Sequence, residues 1–154
     1  MDASSTTNAI FKKNMLKAIN INAPQAESIT YLPDNTVLIS INEEYEPLYP
    51  LKLDRNSSKI LTVRFTDITK IIGRDGIMYH PIDKQTTLKI LEFIERNKDK
   101  NFIIHCAAGI SRSSAVAKYI SETYGHELKP QFEYLCHPNN YVLYMLREKG
   151  EYVG

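Results

Sequence analysis

The chain has 154 residues, 43% of them apolar and 24% charged, and a formal net charge of +1. That size suits one domain with an ordinary core, here taken as 1–154, and a charge so close to zero leaves no electrostatic footprint for a nucleic-acid partner. No apolar run approaches the roughly 18 residues that a membrane span needs, so no membrane partner is expected.

The first residues lack a basic patch followed by an apolar core, which argues against a secretory signal. Residue 2 is Asp, where simple myristoylation needs Gly. The only cysteines are Cys106 and Cys136, too few for a disulfide framework. His80, His105, His126 and His137 are scattered without a ligand-like spacing, so neither a metal nor a cofactor is expected. A reducing, cytoplasmic setting and a monomer are the default expectations.

In chain order, Ile10, Phe11, Met15, Leu16 and Ile19 recur at helical spacing and predict a helix over 6–19, capped by Thr6 or Thr7. Pro24 closes that segment, and a short strand is expected within 25–32. Asp34-Asn35 reads as a turn. Val37 to Ile41 is a branched apolar run that suits a buried strand. Residues 42–58 are polar and hold Pro47 and Pro50, so they read as a loop with a short strand around Leu51 to Leu53.

Lys59 to Phe65 is the next strand, followed by a connection from Ile68 to Pro81 with a turn at Gly73-Arg74-Asp75-Gly76. Asp83 caps a helix to about Asn97, with Leu88, Leu91, Phe93 and Ile94 on its apolar face. Phe102 to His105 is a short interior strand. Ser113 to Thr123 forms a helix stopped by Gly125. Lys129-Pro130 opens a further helical stretch, and Pro138 sits in the first turn of a last helix, 139–147. Strands alternating with helices predict an α/β fold with a mostly parallel central sheet flanked by helices.

The chemistry concentrates in His105-Cys106-Ala107-Ala108-Gly109-Ile110-Ser111-Arg112-Ser113. Sites in parallel sheets lie beyond the carboxyl ends of strands, where Cys106 falls. A loop entering a helix presents backbone N–H groups without intrahelical partners at the positive end of the helix dipole. Gly109 lets the loop adopt a conformation that bulky residues resist, Ala107 and Ala108 keep the cradle small, and Arg112 offers a planar fork for two phosphate oxygens. Ile110 and Ser111 complete the phosphate-binding stretch. A thiol at a helix N-terminus beside a cation ionises more readily than a free one, which makes Cys106 a candidate nucleophile. Ser113 could donate a hydrogen bond to the thiolate, and His105 would order the loop. An isolated cysteine would read as a small core residue; Cys136 does.

These nine residues resemble the signature His-Cys-x-x-Gly-x-x-Arg-Ser/Thr of the cysteine-dependent protein tyrosine phosphatase superfamily. The short chain is similar to its compact dual-specificity branch, as are the strand 60–65 ending near Asp67 and the Pro138-Asn139 helix start. The resemblance implies a phosphatase-type P-loop between a central strand and a helix. It also implies hydrolysis of phosphotyrosine, with phosphoserine and phosphothreonine as possible extras, through a phosphocysteine intermediate on a phosphorylated protein or peptide.

It further implies a general acid, an Asp on a loop after a strand upstream of the cysteine. Asp67 has that placement but lies further from Cys106 than is usual. Asp75 has the more usual separation, within an ordinary turn sequence. Asp83 looks like a cap. Asp67 is favoured. Tyr79, His80 and Arg74 lie in the same connection, where a packing aromatic and a solvated cation are the simpler readings. None of Ala107, Ala108, Ile110 and Ser111 is basic, which disfavours substrates carrying several phosphates. The alternatives are a rhodanese-like sulfurtransferase and a phosphate-binding module without turnover.

Overall fold

All seven residues of Thr36–Asn42 are buried, a pattern expected only of a strand with neighbours on both sides and layers on both faces. The computed structural model, which describes residues 15–130 and 136–151, shows why. Strand β2 (Thr36–Asn42) lies between β3 (Ile60–Arg64) and β6 (Asn101–His105), and β1 (Lys17–Ile21) and β7 (Glu127–Pro130) continue the sheet in the order β3-β2-β6-β1-β7. Every pairing in it is parallel. The molecule is a single-domain α/β fold.

Side chains alternate across such a sheet. Val37, Ile39 and Ile41 of β2, with Phe102 and Ile104 of β6, enter the main core. That core is closed by α2 (Lys84–Arg96), α3 (Arg112–Tyr124) and α4 (Asn140–Arg147), which supply Ile90, Phe93, Val116, Ile120, Val142 and Leu146. Leu38 and Ile60 face the other way. They meet Leu32, Ile29, Leu51 and Leu53, so the polar stretch 42–58 lays two leucines over the second face. Arg55 fastens it there, donating to Ser40 Oγ and Thr62 Oγ1 at 3.1 and 2.9 Å and to the Tyr49 carbonyl at 2.6 Å.

Several elements depart from expectation. The helix over 6–19 lies mostly outside the described residues, but Lys17–Ile21 is a strand. Its backbone pairs with β6 on one side and β7 on the other, and that pairing overrides a helical spacing carried by few residues. In place of a strand within 25–32 there is a short helix α1 (Ala23–Glu27). Asn22 caps it through a reciprocal bond with Gln25, and Pro24 fits its first turn. Residues 51–53 form no strand.

The connection 68–81 contains an antiparallel ribbon, β4 (Ile72–Arg74) and β5 (Ile77–Tyr79), whose turn holds Asp75 and Gly76 at positive φ. Leu88 is 45% exposed while Thr87 and Ile90 are buried, so the buried face of α2 is rotated from the expected one. Lys129-Pro130 ends β7 rather than opening a helix; an edge strand tolerates proline because its outer side needs no donor. Pro138 precedes the α4 cap, Asn139, instead of lying in the first turn. The strands at 36–42, 60–64 and 101–105, the Asp83 cap and the left-handed Gly125 stop are as expected. Among the described residues, no helix is long and apolar enough to cross a membrane.

Ile104 is fully buried in the central strand β6. Ile104→Ala should cost about 2–5 kcal/mol of unfolding free energy in urea titration; unchanged stability would contradict its place in the core.

Candidate functional site

Because the five strands run parallel, their carboxyl ends share one edge. Cys106, Asn20, Glu43 and Asp67 all lie at or just beyond that edge. Cys106 continues the parity of Phe102 and Ile104, so it turns toward the helical face and is 3% exposed. His105 has the opposite parity and lies with Ser40 and Asn42 on the other face.

The loop from Cys106 to Arg112 is held by its carbonyls. His105 Nδ1 donates to the Cys106 carbonyl at 3.0 Å, and the Ala23 N–H donates to Ala107 at 3.0 Å. Asn20 Nδ2 donates to Gly109 at 2.8 Å. The N–H groups of His137 and Asn139 donate to Ile110 and Ser111 at 2.9 and 3.0 Å. In a trans peptide the N–H points opposite to the C=O, so the following amides turn away from these partners. None of the backbone N–H groups from Ala107 to Ser114 donates to an acceptor among the described residues. Gly109 has φ +72°, and a Cβ there would fall 2.8 Å from the Ile21 backbone; both the turn and the close approach require glycine.

Arg112 opens α3 and is 4% exposed. Nη1 donates to the Phe65 carbonyl and Nη2 to Glu43 Oε2, each at 2.8 Å, while Nε is buried without a partner. Burial favours the neutral guanidine, but the Glu43 bond and charge, with Cys106 and Asp67 nearby, outweigh it and hold Arg112 above its ordinary value. Tyr49 donates to Glu43 Oε2 at 3.3 Å. Burial first, then the Glu43 charge, push its phenol up to about 12.

His105 is wholly buried. A carbonyl only accepts, so Nδ1 carries the proton to Cys106 and Nε2 accepts from Ser40 Oγ at 2.7 Å. Ser40 Oγ in turn accepts from Arg55 and Asn42. The Tyr49 ring meets the imidazole edge-on at 5.5 Å. Burial, with the charges of Arg55 and Arg112, pushes His105 down to about 4 despite its bond to the Cys106 carbonyl. It is a neutral brace for the loop.

Asp67 is exposed beyond β3. Its Oδ1 accepts from Ser111 Oγ and Asn139 Nδ2, each at 2.8 Å. Oδ2 has no hydrogen-bond partner among the described residues and is the oxygen free to carry a proton. Asn139 also caps α4 by accepting from Tyr141 and Val142 N–H, and its own N–H donates to Ser111, so one residue ties Asp67, the loop and a helix together. Asp75 sits in the exposed β4–β5 turn, and Asp83 caps α2 through Thr86 N–H at 2.7 Å. Tyr79 packs edge-on against Tyr45, and His80 bonds Glu44. Ser113 Oγ lies 3.1 Å from Cys106 Sγ. Among the described residues no group of three or more His, Cys, Asp or Glu side chains could hold a metal ion.

Sequence reasoning brought Cys106, Ala107 to Ser111, Arg112, Ser113 and Asp67 together but missed Asn20, Ser40, Glu43, Tyr49, Arg55 and Asn139. Ser40 carried a signal, since a polar side chain inside the apolar run Val37 to Ile41 needs a buried partner; Asn20 followed a segment read as a helix and carried none. Glu43 and Arg55 lay in a polar loop and carried none.

The unfolded state takes up a proton on His105 near its ordinary 6.5, the folded state only near 4. Stability therefore falls as pH drops from about 6.5 toward 4, by roughly 3 kcal/mol at the limit. Urea unfolding across that window should give a shallower pH dependence for His105→Asn than for the wild type; parallel curves would contradict a neutral buried imidazole. No protein-family model, curated protein or solved structure matches the chain.

Proposed function

We propose that the chain is a phosphoric monoester hydrolase, a protein phosphatase acting on phosphotyrosine and, within reach of the same chemistry, on phosphoserine and phosphothreonine. One observation carries this reading. The carbonyls of Cys106, Ala107, Gly109, Ile110 and Ser111 are all bonded away, leaving the amides up to Ser114 without acceptors beside a nucleophilic sulfur. Such a run of donors at the start of a helix is an oxyanion site, and a phosphatase-type P-loop is the arrangement it best fits. The buried, unpartnered Arg112 Nε adds a charged donor to the same ring.

In this reading the phosphoryl oxygens take the loop amides and Arg112. Cys106 Sγ attacks phosphorus, an S–P bond forms, and the ester O–P bond breaks. Asp67, protonated on Oδ2, gives its proton to the departing oxygen. The Asp67 carboxylate then takes a proton from water, whose oxygen attacks phosphorus and releases the sulfur. Ser113 donates to the sulfur as it regains its charge. Ser111 and Asn139 keep Asp67 beside the loop, and Glu43 and the Phe65 carbonyl hold the Arg112 guanidinium in place. Attachment of Asp67 to the loop favours a catalytic site over a binding module without turnover. The uncharged loop side chains favour a single phosphate.

Hydrolysis of an aryl phosphate should proceed in the presence of EDTA. It should fall to background in Cys106→Ser and be severely reduced in Arg112→Ala. Asp67→Ala should slow turnover by about 10²–10⁴-fold, most for alkyl or other poor leaving groups. Steady-state kinetics on esters of graded leaving-group acidity check this. Activity surviving in Cys106→Ser would overturn the reading, and an Asp67→Ala rate independent of the leaving group would remove Asp67 as the acid.

A further inference from the structure

Asn20 is 1% exposed on β1, and no step described so far uses it. Its orientation is fixed by chemistry: the Gly109 carbonyl 2.8 Å away only accepts, so the atom facing it is the amide nitrogen. That nitrogen also points at Cys136 Sγ, at 3.6 Å. Oδ1 therefore faces Ser113 Oγ and can only accept. A serine hydroxyl has one proton, and here Asn20 holds it. Toward Cys106 the Ser113 oxygen presents a lone pair, which suits an S–H donor and not a sulfur anion.

We propose that Asn20 is a positioning residue that keeps the Ser113 proton away from Cys106, so that the sulfur ionises only as Ser113 swings from Asn20 to the sulfur. The resting chain runs Cys106 S–H to Ser113 O–H to Asn20 Oδ1. On ionisation the thiol proton leaves to solvent, Ser113 keeps its own proton and rotates about its Cβ–Oγ bond, and no heavy-atom bond changes. Asn20 Oδ1 is then left buried without a donor, which opposes the change. Ser113 is thus a switch between two acceptors. The same movement recurs each time the sulfur leaves phosphorus.

Of the other titratable or charged groups around the site, Arg112 from α3 and Tyr49 from the segment after β2 interact with the Cys106 charge. Glu43 and Asp67 lie beside Arg112, Cys136 before α4 lies beside Asn20, and neutral His105 on the other face of the sheet meets only the Cys106 carbonyl. Changing Asn20 also removes its bonds to the Gly109 carbonyl and Cys136, so the switch is isolated by comparing the substitution with and without the Ser113 hydroxyl. The proposal takes its purpose from the phosphatase reading, but its test does not require turnover.

The test is the rate of Cys106 alkylation by iodoacetamide against pH, read by mass spectrometry of the Cys106 peptide. Asn20→Ala should lower the midpoint by about one pH unit. In a Ser113→Ala background the same substitution should no longer shift it. An unshifted midpoint in Asn20→Ala would overturn the proposal. So would an equal shift in both backgrounds, because Asn20 would then act only by tethering Gly109. Should Asn20→Ala fail to fold, the wild type supplies the second measurement. The Asn20 side-chain carbonyl carbon shift in NMR should move with the alkylation midpoint, and a flat response would overturn the proposal. Loss of aryl phosphate hydrolysis alongside a normal alkylation profile would remove the phosphatase reading and leave the switch standing.

Discussion

The site depends on where five carbonyls point. A loop of six or seven residues at a strand end has no secondary structure to hold it, and its peptides would rotate freely. Here each fixed carbonyl has its own donor: the Ala23 N–H at the β1–α1 junction, Asn20 inside β1, the His105 ring, and the His137 and Asn139 N–H groups ahead of α4. A planar trans peptide transmits each of these bonds to the N–H on its other side. The amides from Ala107 onward are therefore oriented by partners that never touch the concave side of the loop. Gly109 completes the arrangement by letting the chain pass against Ile21.

The polar residues of β2 extend the same support through the sheet. Arg55 and Asn42 hold Ser40, Ser40 holds His105, and His105 holds the first loop carbonyl. Each of these groups is satisfied, so the network costs little and fixes one geometry. The pair Arg112–Glu43 is a different case. A buried guanidinium beside a carboxylate that is one-third exposed contributes little net stability. Its value lies in orienting the cation, because two of the Arg112 nitrogens are committed and the third is left for another acceptor.

Much of the scaffold was legible in local sequence. Val37 to Ile41 and Phe102 to His105 are branched or apolar runs too short for helices, and both are interior strands. Asp83 and Gly125 mark helix ends by mechanisms that need only a few neighbouring residues. The loop from Cys106 to Arg112 stood out for the same reason, since its sulfur, glycine and arginine lie within seven residues. The edge of the sheet was not. Lys17–Ile21 and Glu127–Pro130 have weak strand composition and are strands because they pair with each other and the first of them with β6. The supporting contacts were also hidden: Asn20 meets Gly109 across 89 positions, Arg112 meets Glu43 across 69 and Asn139 meets Asp67 across 72. Asp67 was favoured over Asp75 because it follows a strand; it bonds Ser111 of the loop, whereas Asp75 lies in the exposed turn of the β4–β5 ribbon.

The central claim is that sulfur displaces an ester from phosphorus. Rapid acid quenching during turnover of a phosphopeptide carrying radioactive phosphorus tests it most directly. The account predicts label bound covalently to the Cys106 peptide, formed and lost at rates matching turnover. Steady turnover with no label ever recovered on Cys106 would contradict it.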